Sequence, residues 1–276
     1  MVYNFNLLNV NNLGNYVVKV SLNRPKKYNA LNMEIWGEIG LAFEKLDTDP
    51  ECRVIILEGE GKHFTAGLDL SEGILMDLME NPSDQARKSR LMLPKVRWMQ
   101  KQFTLIEKCS KPVIAAIHGY CIGGGIDIIT ACDIRHCSSD ASFCIKEVDV
   151  GLAADVGTLN RIPKVCGNES WVKEIAFTAR TFGAQEALQQ GLISKVYQTR
   201  EEMQSAVRKL AEEIAQKSPV AVQGTKINLN YSRDHTVDES LEHVAIWNAS
   251  QLFTDDIIQA GLAVLQKQPP PPFSKL

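Results

Sequence analysis

The chain lacks most of the features that mark a secreted, metal-bound, membrane-spanning or nucleotide-cradling protein. Its seven cysteines fall at irregular spacing with no CxxC pair, so neither a zinc knuckle nor a disulfide framework is supported. Their odd number suits reduced thiols in an intracellular compartment. No apolar run reaches transmembrane length, and the opening MVYNFNLLNVNN has neither a signal-peptide core nor an Arg-rich presequence. Charge of one sign is not in excess. Thirty Lys and Arg against 33 Asp and Glu leave a net −3, with no basic stripe interleaved with aromatics, so no nucleic-acid or membrane partner is expected. Glu58-Gly59-Glu60-Gly61-Lys62-His63 carries glycines without GxxxxGK[ST], which argues against a nucleotide phosphate loop. No repeat of solenoid length is visible.

What remains is the composition of an ordinary globular protein, 45% hydrophobic and 23% charged over 276 residues, enough chain to bury a sizeable core. Tyr16 to Leu22 alternates like a half-buried strand, and Asn32 is placed to cap a helix running to about Leu46. Arg53 to Leu57 and Val113 to Ile117 are short apolar runs rich in β-branched residues, the mark of buried strands. Ser71 to Arg90 is polar and Met-rich without a clear period, as an inserted or lid-like segment would be. Met92 to Lys108 predicts a long helix. Short helices are predicted over Gly157 to Pro163, Glu169 to Thr178 and Gln185 to Gln190, then a strand over Ile193 to Tyr197. Longer helices follow from Arg200 to Lys217, from Pro219, from Val237 to Leu252 and from Asp255 to Gln266. The layout is α/β with a helical C-terminal layer.

The chemistry concentrates between Pro112 and Asp155. A buried strand runs into Gly123-Gly124-Gly125, and an almost wholly apolar helix, Ile126 to Cys132, begins there. That arrangement aims free backbone N–H groups and the positive end of a helix at one point, which suits a negative oxygen. Asp127 lies in the first turn of this helix between two isoleucines, where an ionised carboxylate costs several kcal/mol unless partnered or neutral. Its plainer reading is a favourable charge near a helix N-terminus. Glu147 and Asp155 follow, eight residues apart in an apolar stretch. Such a pair can have its pKa values pushed apart into one acid and one base. The plainer readings are exposed carboxylates on a strand end for Glu147 and Asp149, and a helix N-cap for Asp155. His118 reads as a core or turn histidine, and Cys121 as a small buried thiol with no activating partner.

The segments LNRPKKYNALN (Leu22 to Asn32), FTAGLDL (Phe64 to Leu70), KPVIAAIHGYCIGGGIDI (Lys111 to Ile128) and IKEVDVGLAAD (Ile145 to Asp155) together resemble the crotonase, or enoyl-CoA hydratase/isomerase, superfamily, in order and spacing from about residue 14 to 267. The resemblance implies a crotonase-like spiral of ββα units over residues 1–198 and a C-terminal helical trimerisation region over 199–267. It also implies assembly as a trimer or hexamer. The ligand implied is an acyl-CoA thioester, with no separate cofactor and no metal, CoA being part of the substrate. The oxyanion hole would be the backbone N–H groups of Leu68 and Gly124. Lys27, Asn29 and Ala30 would contact CoA, and Ala66 and Gly67 would lie at the thioester.

Within the superfamily, hydratases carry two glutamates where this chain has Asp127 and Glu147. The shortened first acid and the added Asp155 resemble the isomerases that turn 3,5-dienoyl-CoA into 2,4-dienoyl-CoA in fatty-acid β-oxidation. Moving two conjugated double bonds by one position takes a proton from carbon 2 and delivers one to carbon 6, too far apart for a single fixed carboxylate. Glu147 would be the base, Asp155 the acid, and Asp127 the group that tunes or orients them. A 2-enoyl-CoA hydratase, a 3-enoyl to 2-enoyl isomerase and a non-catalytic acyl-CoA-binding subunit are the alternatives on the same fold. The chain ends in Ser274-Lys275-Leu276, a tripeptide read by the peroxisomal import receptor. Pro269 to Pro272, in a tail spanning 268–276, predict a stiff spacer that holds it clear of the fold.

Overall fold

The computed structural model describes residues 3–71, 84–269 and 271–276. Two sheets organise the first two thirds of the chain. The larger joins β1 (Leu8–Asn12), β2 (Val17–Leu22), β3 (Val54–Gly59), β4 (Val113–Ile117), β6 (Ile134–Ser138) and β9 (Lys195–Tyr197) in that order, parallel throughout except where β1 pairs with β2. The smaller joins β5 (Tyr120–Ile122), β7 (Ser142–Cys144) and β8 (Phe182–Gly183). Consecutive strands are shared between the sheets: β4 and β6 enter the large one, and β5 and β7, a few residues on, enter the small one. A helix then returns the chain. This is the ββα repeat that the sequence resemblance implies.

Parallel strands covered on both faces read as continuous apolar runs, because both sides of the pleat are buried. Val18, Val20, Leu22, Ile55, Leu57, Val113, Ala115 and Ile117 face a core shared with α1 (Met33–Asp47) and α2 (Gln85–Lys108). Their neighbours Val17, Val54, Ile56, Ile114 and Ala116 face Met203, Val207, Ala211 and Ala215 of a later helix, Arg200–Ala215, on the other side. The predicted cap of α1 is present, the Asn32 side chain accepting from Ile35 N–H at 3.1 Å. Trp36 of α1 stacks on Phe103 of α2, with ring centroids 4.4 Å apart, and its indole N–H donates to the Met99 carbonyl. The last third is helical, ending in Pro219–Ser232, Val237–Gln251 and Asp255–Leu265. Among the described residues no helix is long and apolar enough to cross a membrane.

Two expectations are corrected. The long helix begins at Gln85 rather than Met92, capped by Asp84, whose side chain accepts from Arg87 N–H. Its first turns are solvent-facing and contribute nothing to the core, so they carry no apolar period. The remainder of the lid-like segment, residues 72–83, lies outside the described residues. The second correction concerns the C-terminus, which folds back onto the body. Phe273 is buried, and the buried Arg53 guanidinium donates to the carbonyls of Phe273 (2.7 Å), Ser274 (3.1 Å) and Ala215 (3.1 Å) while lying over the Tyr16 ring. Lys275 pairs with Glu51. The tripeptide is therefore held against the protein, because an apolar side chain and two carbonyls find partners there that a free spacer would leave to water. Arg53→Ala should lower unfolding stability by about 2 kcal/mol and speed the release of Leu276 and Lys275 by carboxypeptidase. Equal release from both proteins would refute the docking.

Candidate active site

Three chain segments are laid side by side to make the site. Phe64 N–H donates to the His118 carbonyl and Thr65 N–H to that of Tyr120, each at 2.9 Å, and Ile122 N–H returns to the Thr65 carbonyl at 3.2 Å, so residues 64–67 run along residues 118–123. On their other side Ala66 N–H donates to the Tyr28 carbonyl (2.9 Å), Leu31 N–H to Gly67 (2.8 Å) and Asp69 N–H to Leu31 (3.1 Å). Glycine is required where the strips meet. Gly67 has φ +85°, and a Cβ there would stand 2.8 Å from the Ile122 carbonyl oxygen; Gly123 has φ +52° and faces Gly67.

Gly123 is also the N-cap of α3 (Gly124–Ala131), which is buried along its whole length. Neither Leu68 N–H nor Gly124 N–H donates to any acceptor among the described residues. The two expected oxyanion donors are thus unpaired, one on each of the abutting strips, and Gly124 adds the first turn of a helix. Leu31 packs so closely on Gly124 that an added Cβ would lie 2.9 Å from its Cδ1.

The residues expected to meet CoA divide. Lys27 is exposed at the end of the short turn Pro25–Lys27, while Ala30 and Ala66 are half-buried beside the strips. Asn29 is different, for its side chain turns away from the loop surface. It is fully buried with φ +55°; its amide donates to the carbonyls of Glu60 and His63, both at 2.8 Å, and its side-chain oxygen accepts from Arg24 N–H. Every polar atom of that side chain faces inward, so Asn29 shapes the loop from beneath. Sequence reasoning passed over Arg24 and Asp69, whose buried ion pair at 3.0 Å ties the loop to the segment carrying Leu68. Hydrogen bonds from Ser71 and the Arg24 guanidinium hold the Asp69 carboxyl below its ordinary range. His118 and Cys121 are core residues as expected. The imidazole is buried against the Gly61 carbonyl, and burial pushes the thiol pKa well up.

The three acids lie within electrostatic reach of one another, Glu147 of Asp127 and Asp155 of Glu147. Asp127, in the first turn of α3, is completely buried; one oxygen accepts from Thr158 N–H at 2.5 Å and the other has no partner. Thr158 is a partner that no sequence signal announces, since its donor is a backbone N–H 31 residues away. Glu147 opens a short 3-10 turn, Glu147–Val150, rather than ending a strand, and is half-buried with Oε1 beside Gly123 and Oε2 unpartnered. Asp155 is solvent-exposed in the irregular segment that follows. It does not cap the next helix, α4 (Thr158–Val165), whose N-cap is Gly157.

Loss of hydration raises all three carboxyl pKa values, with Glu147 adding to the shift at Asp127 and Asp155 adding to that at Glu147. Asp127 rises to about 7, enough for it to be largely neutral under mildly acidic conditions, and a proton on its unpartnered oxygen relieves both its own burial and its repulsion from Glu147. Among the described residues no group of three metal-ligating side chains is present.

A carboxyl whose pKa rises on folding binds its proton more tightly in the native state, so stability falls as pH climbs from the ordinary value of 3.8 through about 7. Asp127→Asn removes that loss and keeps an acceptor for Thr158. It should gain about 4 kcal/mol relative to wild type between pH 4 and pH 8, read by urea unfolding at each pH. A parallel decline in both proteins would locate the pH sensitivity elsewhere.

Known proteins resemble this chain in sequence and in fold. Residues 12–275 match the family described as enoyl-CoA hydratase/isomerase. A rat protein named Delta(3,5)-Delta(2,4)-dienoyl-CoA isomerase, mitochondrial, is 52% identical over 96% of this chain and 81% of its own. An Arabidopsis thaliana protein named as the peroxisomal form is 45% identical over 96% of this chain and 95% of its own. The crystal structure of an enoyl-CoA hydratase from Bacillus anthracis superimposes with a TM-score of 0.85 at 27% identity, covering 96% of this chain and 98% of that one. On its sequence over nearly its whole length, and on its fold, the chain belongs to the enoyl-CoA hydratase/isomerase family.

Proposed function

We propose that this chain isomerises 3,5-dienoyl-CoA to 2,4-dienoyl-CoA in fatty-acid β-oxidation. The observation that carries the reading is the set of three electrostatically coupled carboxyls beside two unpaired backbone donors. Relatives at 45 to 52% identity bear the name of that activity.

The thioester oxygen takes the place between Leu68 N–H and Gly124 N–H. As Glu147 removes a proton from carbon 2, the electron pair moves into the conjugated system and negative charge gathers on that oxygen, where both donors strengthen their bonds. Asp155 then delivers its proton to carbon 6, and the double bonds settle at carbons 2 and 4. The number of protons and electrons on the substrate is unchanged. Asp127, buried with its pKa raised to about 7, takes up a proton readily, which supports Glu147 as the ionised base. The scheme requires Asp155 to carry a proton, and the upward direction of its pKa favours that state. CoA enters with the substrate, and the chemistry calls for no separate cofactor.

Two further readings accompany this one. Leu229, Val237, Leu241 and Ile246 stand exposed on the C-terminal helices and Phe253 in the turn between the last two, an apolar display that supports assembly as a trimer or hexamer. Ser274-Lys275-Leu276 supports delivery to peroxisomes by the import receptor; the rat relative carries a mitochondrial name and the Arabidopsis one a peroxisomal name.

The central test follows a 3,5-dienoyl-CoA in D2O, reading product by its absorbance and deuterium at carbon 2 of recovered substrate by mass spectrometry. Glu147→Gln should lose both signals, by at least about a hundredfold. Asp155→Asn should lose isomerisation to a similar degree while continuing to exchange at carbon 2. Full isomerase activity in Asp155→Asn would sink the two-carboxylate scheme, and rapid hydration of a 2-enoyl-CoA without diene movement would make the protein a hydratase. Sedimentation of the purified chain should give three or six subunits, and removal of the last three residues should take a fluorescent fusion out of peroxisomes. A monomer, or an unmoved fusion, would count against the respective reading.

A further inference from the structure

The segment that carries Asp155 has no regular structure of its own. Between the 3-10 turn at Glu147–Val150 and helix α4, residues 151–157 belong to no strand or helix, so something else must fix where the second carboxyl points. Helix α2 supplies it. The Gln100 side-chain amide donates to the Asp155 backbone carbonyl at 2.7 Å. One turn on, Thr104 accepts from the Arg161 guanidinium at 3.0 Å, and Glu107 pairs with the same guanidinium at 3.0 Å. Gln100, Thr104 and Glu107 are spaced four and three apart and so share one face of the helix.

Arg161 is buried and lies directly under the turn, so that a Cβ on Gly157 would fall 1.8 Å from its Nη1. Gly157, at φ +138°, occupies a conformation only glycine takes readily. The very next residue, Thr158, donates its N–H to Asp127. The turn is thus tied at one end to the buried acid and along its length to one face of a long helix.

We infer that Gln100 and Arg161 are positioning residues that set the reach of Asp155 toward carbon 6. The inference rests on the reading of Glu147 and Asp155 as the proton pair. Neither residue touches the reacting carbons. Gln100 holds the main chain at Asp155 itself, and Arg161, anchored on Thr104 and Glu107, supports the turn from below. Loosening them leaves proton removal by Glu147 intact and impairs only the delivery at the far end. The dienolate then lives longer and more often takes its proton back at carbon 2.

The partition between return and delivery is the readout, because a general loss of folded protein lowers both in step. Gln100→Met keeps the length of the side chain and removes the donor, at a surface position where the fold tolerates it. On 3,5-dienoyl-CoA in D2O, this variant should lose about tenfold in kcat, the worth of one hydrogen bond felt only in the reaction. KM should stay within about twofold, since ground-state binding is untouched. The ratio of carbon 2 exchange to isomerisation should rise by about tenfold. Arg161→Lys, which keeps a charge for Glu107 but cannot also span to Thr104, should move the ratio in the same direction. An exchange ratio equal to that of wild type in both variants, whatever happens to kcat, would overturn the inference. A wild-type enzyme that neither exchanges nor isomerises would instead overturn the proton-pair reading beneath it.

Discussion

Backbone meets backbone at Gly67 and Gly123, and the rest of the site depends on that contact. Because no side chain stands between the two strips, the loop after β3 and the turn after β5 lie close enough for Leu68 and Gly124 to present their N–H groups together. The strips come from different sheets' worth of chain: one follows a strand of the large sheet, the other a strand of the small one. The ββα repeat is what makes them neighbours. Any side chain at Gly67 would push on the carbonyl of Ile122, a residue whose N–H is bonded to Thr65, so the contact cannot relax without parting the strips.

Around this fixed point the three acids differ in burial more than in chemistry. Asp127 sits within a helix and meets no water; Glu147 is half covered beside Gly123; Asp155 stands at the surface in an irregular segment. Burial raises the proton affinity of each, with Glu147 adding to the rise at Asp127 and Asp155 to that at Glu147. A pair of identical carboxylates in identical surroundings could not divide the work of taking and giving a proton. Position in the fold gives these three acids different surroundings.

Much of this was legible from residues alone, for reasons that also explain what was not. Val113 to Ile117 reads as a strand because both faces are buried, and Asn32 as a cap because a short polar side chain precedes an amphipathic run; both stand as expected. The strand Ile134–Ser138 escaped notice because Arg135 and His136 interrupt its apolar pattern. Each is satisfied from outside the strand, Arg135 by the carbonyls of Leu192 and Cys132, His136 by the Tyr197 hydroxyl. Three of the five residues of the edge strand Leu8–Asn12 are asparagine, and it gives no alternation strong enough to read. At the site, the acids and the glycines were visible because their chemistry is unusual in apolar surroundings. Thr158, Arg24 and the inward turn of Asn29 were not, since a backbone donor or a side chain facing its own loop leaves no mark in composition or spacing. The docked tail was hidden for the same reason: nothing in Arg53 announces that it reaches the far end of the chain.

All seven cysteines are buried, and burial raises the thiol pKa of each, to about 12 at Cys109, Cys132 and Cys137 and about 11 at Cys166. A thiol reacts with peroxides and electrophiles through its thiolate, and these hold almost none near neutral pH. The protein therefore carries a large sulfur content that is chemically silent while it is folded. Oxidative damage becomes a report on unfolding, because only a chain that has opened offers these sulfurs to an oxidant.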